Sequence, residues 1–275
     1  MAVDKTSIVD IFNALEAGER LGLKEAMQLV SQSNKLFGGK DAERFFEMAR
    51  KTAASKPALK EFNSPPFKVS NADTQSLLER ISKTHAETVY LDFVANLPLN
   101  EILTIVREIS KQVTVSAFSP MFLMDLANKN DMKVLELCHE IALAGVSYVP
   151  GTMNAHEKDI SQIDEIFSVL MMLSKVSIKS SAWLPLSFSD DAKIEQLSRI
   201  REFDDRTHTI THVFFHLNTS FSDHDLLKTI AISRLMLDFS DRLSFVDYQI
   251  DYSKTISQKL LKRCVELGIN QIGVL

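Results

Sequence analysis

The chain has 275 residues, of which 45% are apolar and 24% charged, close to the average of globular domains. That composition excludes disorder, collagen and low-complexity architectures, and the length suffices for one large core or two small ones. With 31 Lys and Arg against 36 Asp and Glu the net charge is −5, so a broad nucleic-acid surface is not expected. The only cysteines are Cys138 and Cys264. Two thiols make no disulfide framework and no zinc ligand cluster, and they are too few to hold an iron–sulfur cluster within one chain.

At the N-terminus Asp4, Asp10 and Asn13 interrupt the apolar residues Ile8, Ile11 and Phe12, which leaves no signal-peptide core. No run approaches the about 18 apolar residues of a membrane span. The chain reads as soluble, cytoplasmic and free of membrane. Ile8, Ile11, Phe12 and Leu15 fall at helical spacing; Leu23, Ala26, Met27 and Val30 continue on a second helix, and Ala42 to Ala54 gives a third. Pro57 and Pro65-Pro66 then mark irregular chain. Residues 1–60 are read as a helical cap on a main domain of residues 61–275.

From residue 67 short β-branched runs alternate with amphipathic runs. Strands are predicted at 67–70, 88–95, 113–118, 146–149, 177–184, 210–217, 243–250 and 271–274. Helices are predicted near 72–83, 99–111, 131–144, 160–174, 190–206, 223–239 and 255–267. Asn71, Asn100, Asp159, Ser189 and Ser222 stand where N-caps belong, and Gly145 and Gly268 stand just past helix ends. This alternation predicts an α/β fold, a full or partial parallel (β/α) barrel of the TIM type with an N-terminal helical cap.

In such a barrel a site lies at the C-terminal ends of the strands, and strand residues alternate between lumen and helix layer. The polar phases read Tyr90, Asp92 and Asn96; Thr114, Ser116 and Phe118; Lys179, Ser181 and Trp183; His212, Phe214, His216 and Asn218; and Phe245, Asp247, Gln249 and Asp251. The ligand-binding candidates are therefore Asp92, Asn96, Ser116, Lys179, Trp183, His216, Asn218, Asp247 and Gln249. Asp92 and Asp247 are a candidate carboxylate pair for acid–base work, or else a barrel-floor ion pair with Lys179 or Arg107. Trp183, Phe118 and Phe214 are candidates to stack on a flat ligand, or to fill the lumen. His208, His212 and His216 recur every four residues, but on a strand they spread out instead of converging on a metal. Cys138 and Cys264 lie inside apolar helical patterns and read as buried. No phosphate loop, dinucleotide fingerprint or nucleophile elbow is present.

Three stretches carry a family resemblance: Leu15–Ala26 (LEAGERLGLKEA), Val113–Phe118 (VTVSAF) with Ala142–Gly151 (ALAGVSYVPG) after it, and Asp225–Asp238 (DLLKTIAISRLMLD) followed by Leu267–Gly273 (LGINQIG). Together they resemble the radical S-adenosylmethionine enzymes of the aminofutalosine synthase, dehypoxanthine futalosine cyclase and deazaflavin (FO) synthase branch. The resemblance implies a barrel whose first strand ends in a CxxxCxxC loop holding a [4Fe–4S] cluster that cleaves S-adenosylmethionine. This chain departs there. Glu61 to Val69 contains no cysteine, the next strand ends in Val94-Ala-Asn96, the family's lysine position in the VTVSAF strand is Ser116, its glycine-rich turn reads Pro150 to Met153, and its aspartate near the C-terminus is Gln271. The expectation is loss of both cluster and cosubstrate, leaving no cofactor and no metal. The reading that follows is a pseudoenzyme connected with menaquinone formation by the futalosine route, a binding protein for a nucleoside-like ligand or a heteromer with an intact paralogue. The alternative is a new, cluster-independent reaction on a nucleoside-like ligand in the lumen.

Overall fold

The computed structural model describes residues 7–32, 40–63, 66–70, 73–93, 97–151, 161–216, 221–238, 242–247 and 256–274. Asn96, Asn218 and Gln249 lie outside them, as do the expected caps Asn71 and Asp159. Nine strands form one sheet: β1 (Lys60–Asn63), β2 (Pro66–Val69), β3 (Thr88–Phe93), β4 (Thr114–Ala117), β5 (Val146–Val149), β6 (Lys179–Pro185), β7 (Ile210–His216), β8 (Arg242–Asp247) and β9 (Ile269–Val274). Their order is β1-β9-β8-β7-β6-β5-β4-β3-β2, with every neighbouring pair parallel.

That order contains its own closure argument. β1 and β2 stand at opposite edges of the sheet, yet only Ser64 and Pro65 separate them in sequence. Three peptide steps span at most about 11 Å, so the sheet curls round until its edges meet. β1 and β2 are two halves of one barrel position, the first half bonded to β9 and the second to β3. Pro65 and Pro66 offer no N–H to either neighbour, which is where a ladder changes partners. Eight parallel strand positions alternate with helices, as the TIM-type reading requires.

The helices are α1 (Ile8–Glu16), α2 (Leu23–Ser31), α3 (Lys40–Ala54), α4 (Thr74–Ser82), α5 (Leu99–Ser110), α6 (Pro120–Lys129), α7 (Val134–Ala144), α8 (Ser161–Lys175), α9 (Asp190–Thr207), α10 (Asp223–Met236) and α11 (Gln258–Glu266). Ser189 and Ser222 cap α9 and α10 as expected, each hydroxyl accepting from the third backbone N–H of its helix. Gly145 closes α7 at φ +104°. β1 and α6 were not expected from sequence.

Helix α10 explains why the N-terminal helices are part of the structure. Every residue from Leu226 to Met236 is buried, so the helix has no solvent face. A helix buried all round needs cover on both sides. The sheet supplies one side, and α3 packs along α10 from outside while α2 packs on α9. The stretches that carry the family resemblance meet here. Arg20 reaches Asp238 at 2.7 Å and Asp205 at 3.2 Å, Lys56 donates to the Asp238 carbonyl, and Arg201 donates to Leu21 O at 2.6 Å. Arg234 is fully buried and donates to Gly268 O at 2.6 Å. The Arg20, Lys56 and Arg201 bonds therefore hold the cap on the barrel wall, and Arg234 ties α10 to the turn before β9.

Candidate functional site in the barrel lumen

Two buried layers can be told apart. Val89, Leu91, Phe93, Val115, Ala117, Val213, Phe215, Leu243 and Phe245 belong to the continuous core between sheet and helices. Trp183 and Phe214 are as deeply buried but lie outside that core. They face the lumen, and the register carries that face around the barrel. Trp183 pairs with Phe214, Phe214 with Ser244, and Ser244 with Gln271; on the other side Tyr90 pairs with Ser116 and Ser116 with Tyr148.

Three register shifts shape this wall. The pairing skips Ser147 between β4 and β5, Thr211 between β6 and β7, and Asn270 between β8 and β9. A skipped residue marks a β-bulge, which frees a backbone group on the neighbouring strand and re-aims side chains. In each case the skipped residue's own polar side chain takes up the neighbouring backbone. Ser147 Oγ donates to Val115 O at 3.1 Å, Thr211 Oγ1 donates to Ser180 O at 3.2 Å, and Asn270 Oδ1 accepts from Leu243 N at 3.0 Å.

The bulge in β7 sets the histidine of the site. Thr211 Oγ1 also lies 2.7 Å from His212 Nδ1. Which of the two atoms donates in that contact follows the tautomer of the ring. The His212 ring stacks on Phe214 at 5.7 Å and meets the Tyr148 ring edge-on at 5.9 Å, while Trp183 lies 5.3 Å from Phe214. Burial pushes the Tyr148 phenol up, against a smaller opposite influence of the Ser181 and Thr211 hydroxyls. The phenol therefore stays neutral and keeps its proton to donate. Gly151 N donates to Ser181 Oγ at 3.1 Å beside this group, and Ser244 Oγ donates to Gln271 Oε1 at 2.7 Å across β8 and β9.

The residues singled out from sequence fall in different places. Ser116 and Trp183 are in the lumen wall and buried. Asp92 is half-buried near the end of β3, in register with the exposed Lys68. Lys179 opens β6, is exposed, and donates to His208 O at 3.0 Å. It sits where its strand begins and Asp92 sits where its own ends, so the two form no floor ion pair. The side chains of His216 and Asp247 lie outside the described residues. In β8 the expected phase is inverted. Ser244 shares the face of Phe214, whereas Phe245 is in the helix-side core and meets Phe215 at 6.0 Å. Phe118 does not join Trp183. It belongs to the helix-side core and stacks between Phe93 at 5.2 Å and Phe122 at 5.6 Å. His208 is the C-cap of α9 and not a strand residue. Tyr148 was missed because the run 146–149 has no clean alternation, and the bulge at Ser147 is the reason.

A second polar cluster, also missed, lies where α9 and α10 begin. Asp190 accepts from Lys228 at 2.5 Å and from Lys193 at 3.2 Å, and Asp225 lies 3.4 Å from Lys228. Burial works to raise the Asp190 pKa, but Lys228 and Lys193 together outweigh it and hold it below its ordinary value. Each charge has its counter-charge, so the cluster locks α9 to α10.

The donor set for a [4Fe–4S] cluster can be tested against this geometry. β2 ends at Val69 and α4 begins at Thr74, which leaves four residues, Ser70 to Asp73, none of them cysteine. Cys138 is buried in α7 and Cys264 in α11. Burial pushes the first thiol up to about 11 and the second up to about 12. Cluster ligands are thiolates converging from one loop, and these residues do not fit one.

No family model matches the chain. The 5-amino-6-(D-ribitylamino)uracil–L-tyrosine 4-hydroxyphenyl transferase of Archaeoglobus fulgidus is 27% identical over 195 residues, covering 62% of this chain and 55% of that protein. The chain thus spans about half the length of that relative. Among solved structures it is similar to the tryptophan synthase α-subunit of Pyrococcus furiosus, with a TM-score of 0.47 and 12% identity over 77% of this chain and 86% of that one. A mutant of the same subunit gives a TM-score of 0.46 with 13% identity over 80% and 87%. Among the described residues no helix is long and apolar enough to cross a membrane. By sequence, then, the chain is a distant relative of the ribitylaminouracil–tyrosine transferase, on an eight-position parallel barrel.

Proposed function

We propose that the chain is a cluster-less descendant of the radical S-adenosylmethionine branch that works as a cytoplasmic binding or partner protein. The observation that carries this reading is the placement of its two thiols, both buried in helices and both held protonated. Without thiolates there is no low-potential electron, and without the electron the sulfonium cosubstrate is not cleaved. The similarity to the hydroxyphenyl transferase supports descent from that branch. The resemblance of residues 15–26 and 225–238 to aminofutalosine synthase points to menaquinone formation by the futalosine route, where the partner is an intact paralogue.

A second reading is favoured by the lumen itself. The His212 ring and the Tyr148 phenol stand edge to face, and such a pair serves a cluster-independent proton transfer on a nucleoside-like ligand. A panel of purine nucleosides and futalosine analogues separates the two. Binding is read by thermal shift and turnover by chromatography. The first reading predicts a raised melting temperature with at least one compound and no conversion of any. Conversion of any compound selects the second, and a panel that neither binds nor reacts contradicts the binding role.

A further inference from the structure

The lumen face is not equally filled around the barrel. On β2, Phe67 and Val69 belong to the helix-side core, and the Arg80 guanidinium of α4 lies over the Phe67 ring at 5.5 Å. Pro66 and Lys68 therefore take the lumen face, and both are exposed, so this side of the lumen is open to solvent. Lys68 is in register with Asp92 on β3. Tyr90, two residues before Asp92 on the same face, is in register with Ser116 on β4. Lys68, Asp92 and Ser116 thus form a row that runs from exposed through half-buried to buried.

Nothing among the described residues uses these three groups. Lys68 and Asp92 stand side by side, yet neither enters an ion pair or a side-chain hydrogen bond there, with the other or with a third group. The Ser116 hydroxyl is buried with no partner, a state that native structures keep for few groups. The row is also held in place. Phe118, just past β4, is left-handed at φ +67°, a conformation that bulky residues seldom take. Its ring is stacked between Phe93 and Phe122 on the helix side, which ties the ends of β3 and β4 together behind Asp92 and Ser116.

The charges narrow the ligand. An anion drawn to Lys68 meets Asp92, and a cation drawn to Asp92 meets Lys68, so neither gains from the pair. A zwitterionic headgroup matches the two charges but ends there. Ser116 lies one strand over and two residues deeper, about 7–8 Å from Asp92, and its neutral hydroxyl asks for a neutral partner. Vicinal hydroxyls meet each of these demands, since every hydroxyl donates one proton and accepts from another group. They donate to the Asp92 carboxylate and accept from the Lys68 ammonium, and the next hydroxyl along pairs with Ser116. We infer that the β2–β4 side of the lumen binds the vicinal hydroxyls of an uncharged sugar. The inference rests on the reading of the lumen as the site of a nucleoside-like ligand, and it assigns the sugar of that ligand to Lys68, Asp92 and Ser116.

Saturation-transfer NMR of the full chain with methyl β-D-ribofuranoside tests it. A saturable signal is expected, with the affinity weakened about tenfold by Asp92→Asn and about threefold to tenfold by Ser116→Ala. Ser116→Ala removes an unpaired hydroxyl, so it folds with unchanged or higher melting temperature. L-Alanine, the zwitterionic probe, is expected to give no saturable signal. The inference is overturned if the riboside gives none, if either variant binds it like the parent chain, or if L-alanine binds in its place. Adenosine and 2′,3′-dideoxyadenosine separate this from the function proposed above. Equal binding of the two keeps the binding role and overturns the sugar assignment. A riboside that binds while no purine nucleoside does keeps the sugar assignment and contradicts the nucleoside-like reading.

Discussion

Arg234→Ala is expected to destabilise the fold by about 4 kcal/mol, with the loss read from urea unfolding. The guanidinium is fully buried and donates to Gly268 O at 2.6 Å. Truncation removes a large packed side chain, which costs about 2–5 kcal/mol by analogy with other large-to-alanine changes. It also strands the carbonyl, worth about 1–3 kcal/mol. Gly268 is matched to the same side chain. Its φ is +120°, a conformation side chains rarely adopt, and a Cβ there would lie 2.4 Å from Arg234 Nε. A loss under about 1 kcal/mol would show that α10 is not the structural pin described above.

Gly151→Ala carries the next largest expected effect, a loss of about 2–3 kcal/mol. A Cβ at Gly151 would lie 1.9 Å from Ser181 O and 3.1 Å from Ser181 C. Those are backbone atoms of β6 and cannot swing aside as a side-chain tip does. The chain after β5 must move, and with it the Gly151 N–H donated to Ser181 Oγ. Ser181 stands two residues before Trp183 on the same strand face, so tryptophan emission should change together with stability. Parent-like stability together with parent-like emission would contradict the close approach of this turn to β6.

The alternation of strand and helix was legible because β-branched runs such as Val146–Val149 and amphipathic runs such as Leu99–Ser110 differ in period. The N-caps Ser189 and Ser222 and the closing Gly145 were legible because each has a local mechanism. β1 was not, since Lys60-Glu-Phe-Asn63 has no β-branched residue and becomes a strand only by pairing with β9, more than 200 positions later in the chain. α6 carried readable signals in Ser119 and in Pro120 at its first turn, but the apolar run around Met121 to Leu126 masked its ends.

The lumen was legible in part; a bulge hid Tyr148, whereas β8 was misread because its inner residue is the small Ser244. Strict alternation along β6 identified Ser181 and Trp183, and along β7 it identified Phe214. It failed to bring out Tyr148, which follows a skipped residue, and it inverted β8, where Leu243 and Phe245 form the apolar face and small Ser244 the inner one. A bulge costs one residue of register and flips every side chain beyond it. Sequence periodicity does not reveal that flip. The motifs behind the family resemblance were legible as a resemblance, yet Arg20 and Asp238 proved to fasten the cap to the wall and Arg234 to tie α10 to Gly268.

The reading proposed above is that this chain's residues hold no [4Fe–4S] cluster of the kind the family resemblance implies. It is tested most directly by anaerobic reconstitution of the full chain with iron and sulfide, followed by iron analysis and an assay for 5′-deoxyadenosine from S-adenosylmethionine. The account predicts protein without cluster absorbance in the visible, without retained iron, and without 5′-deoxyadenosine. Stoichiometric iron accompanied by cleavage of the sulfonium would contradict it.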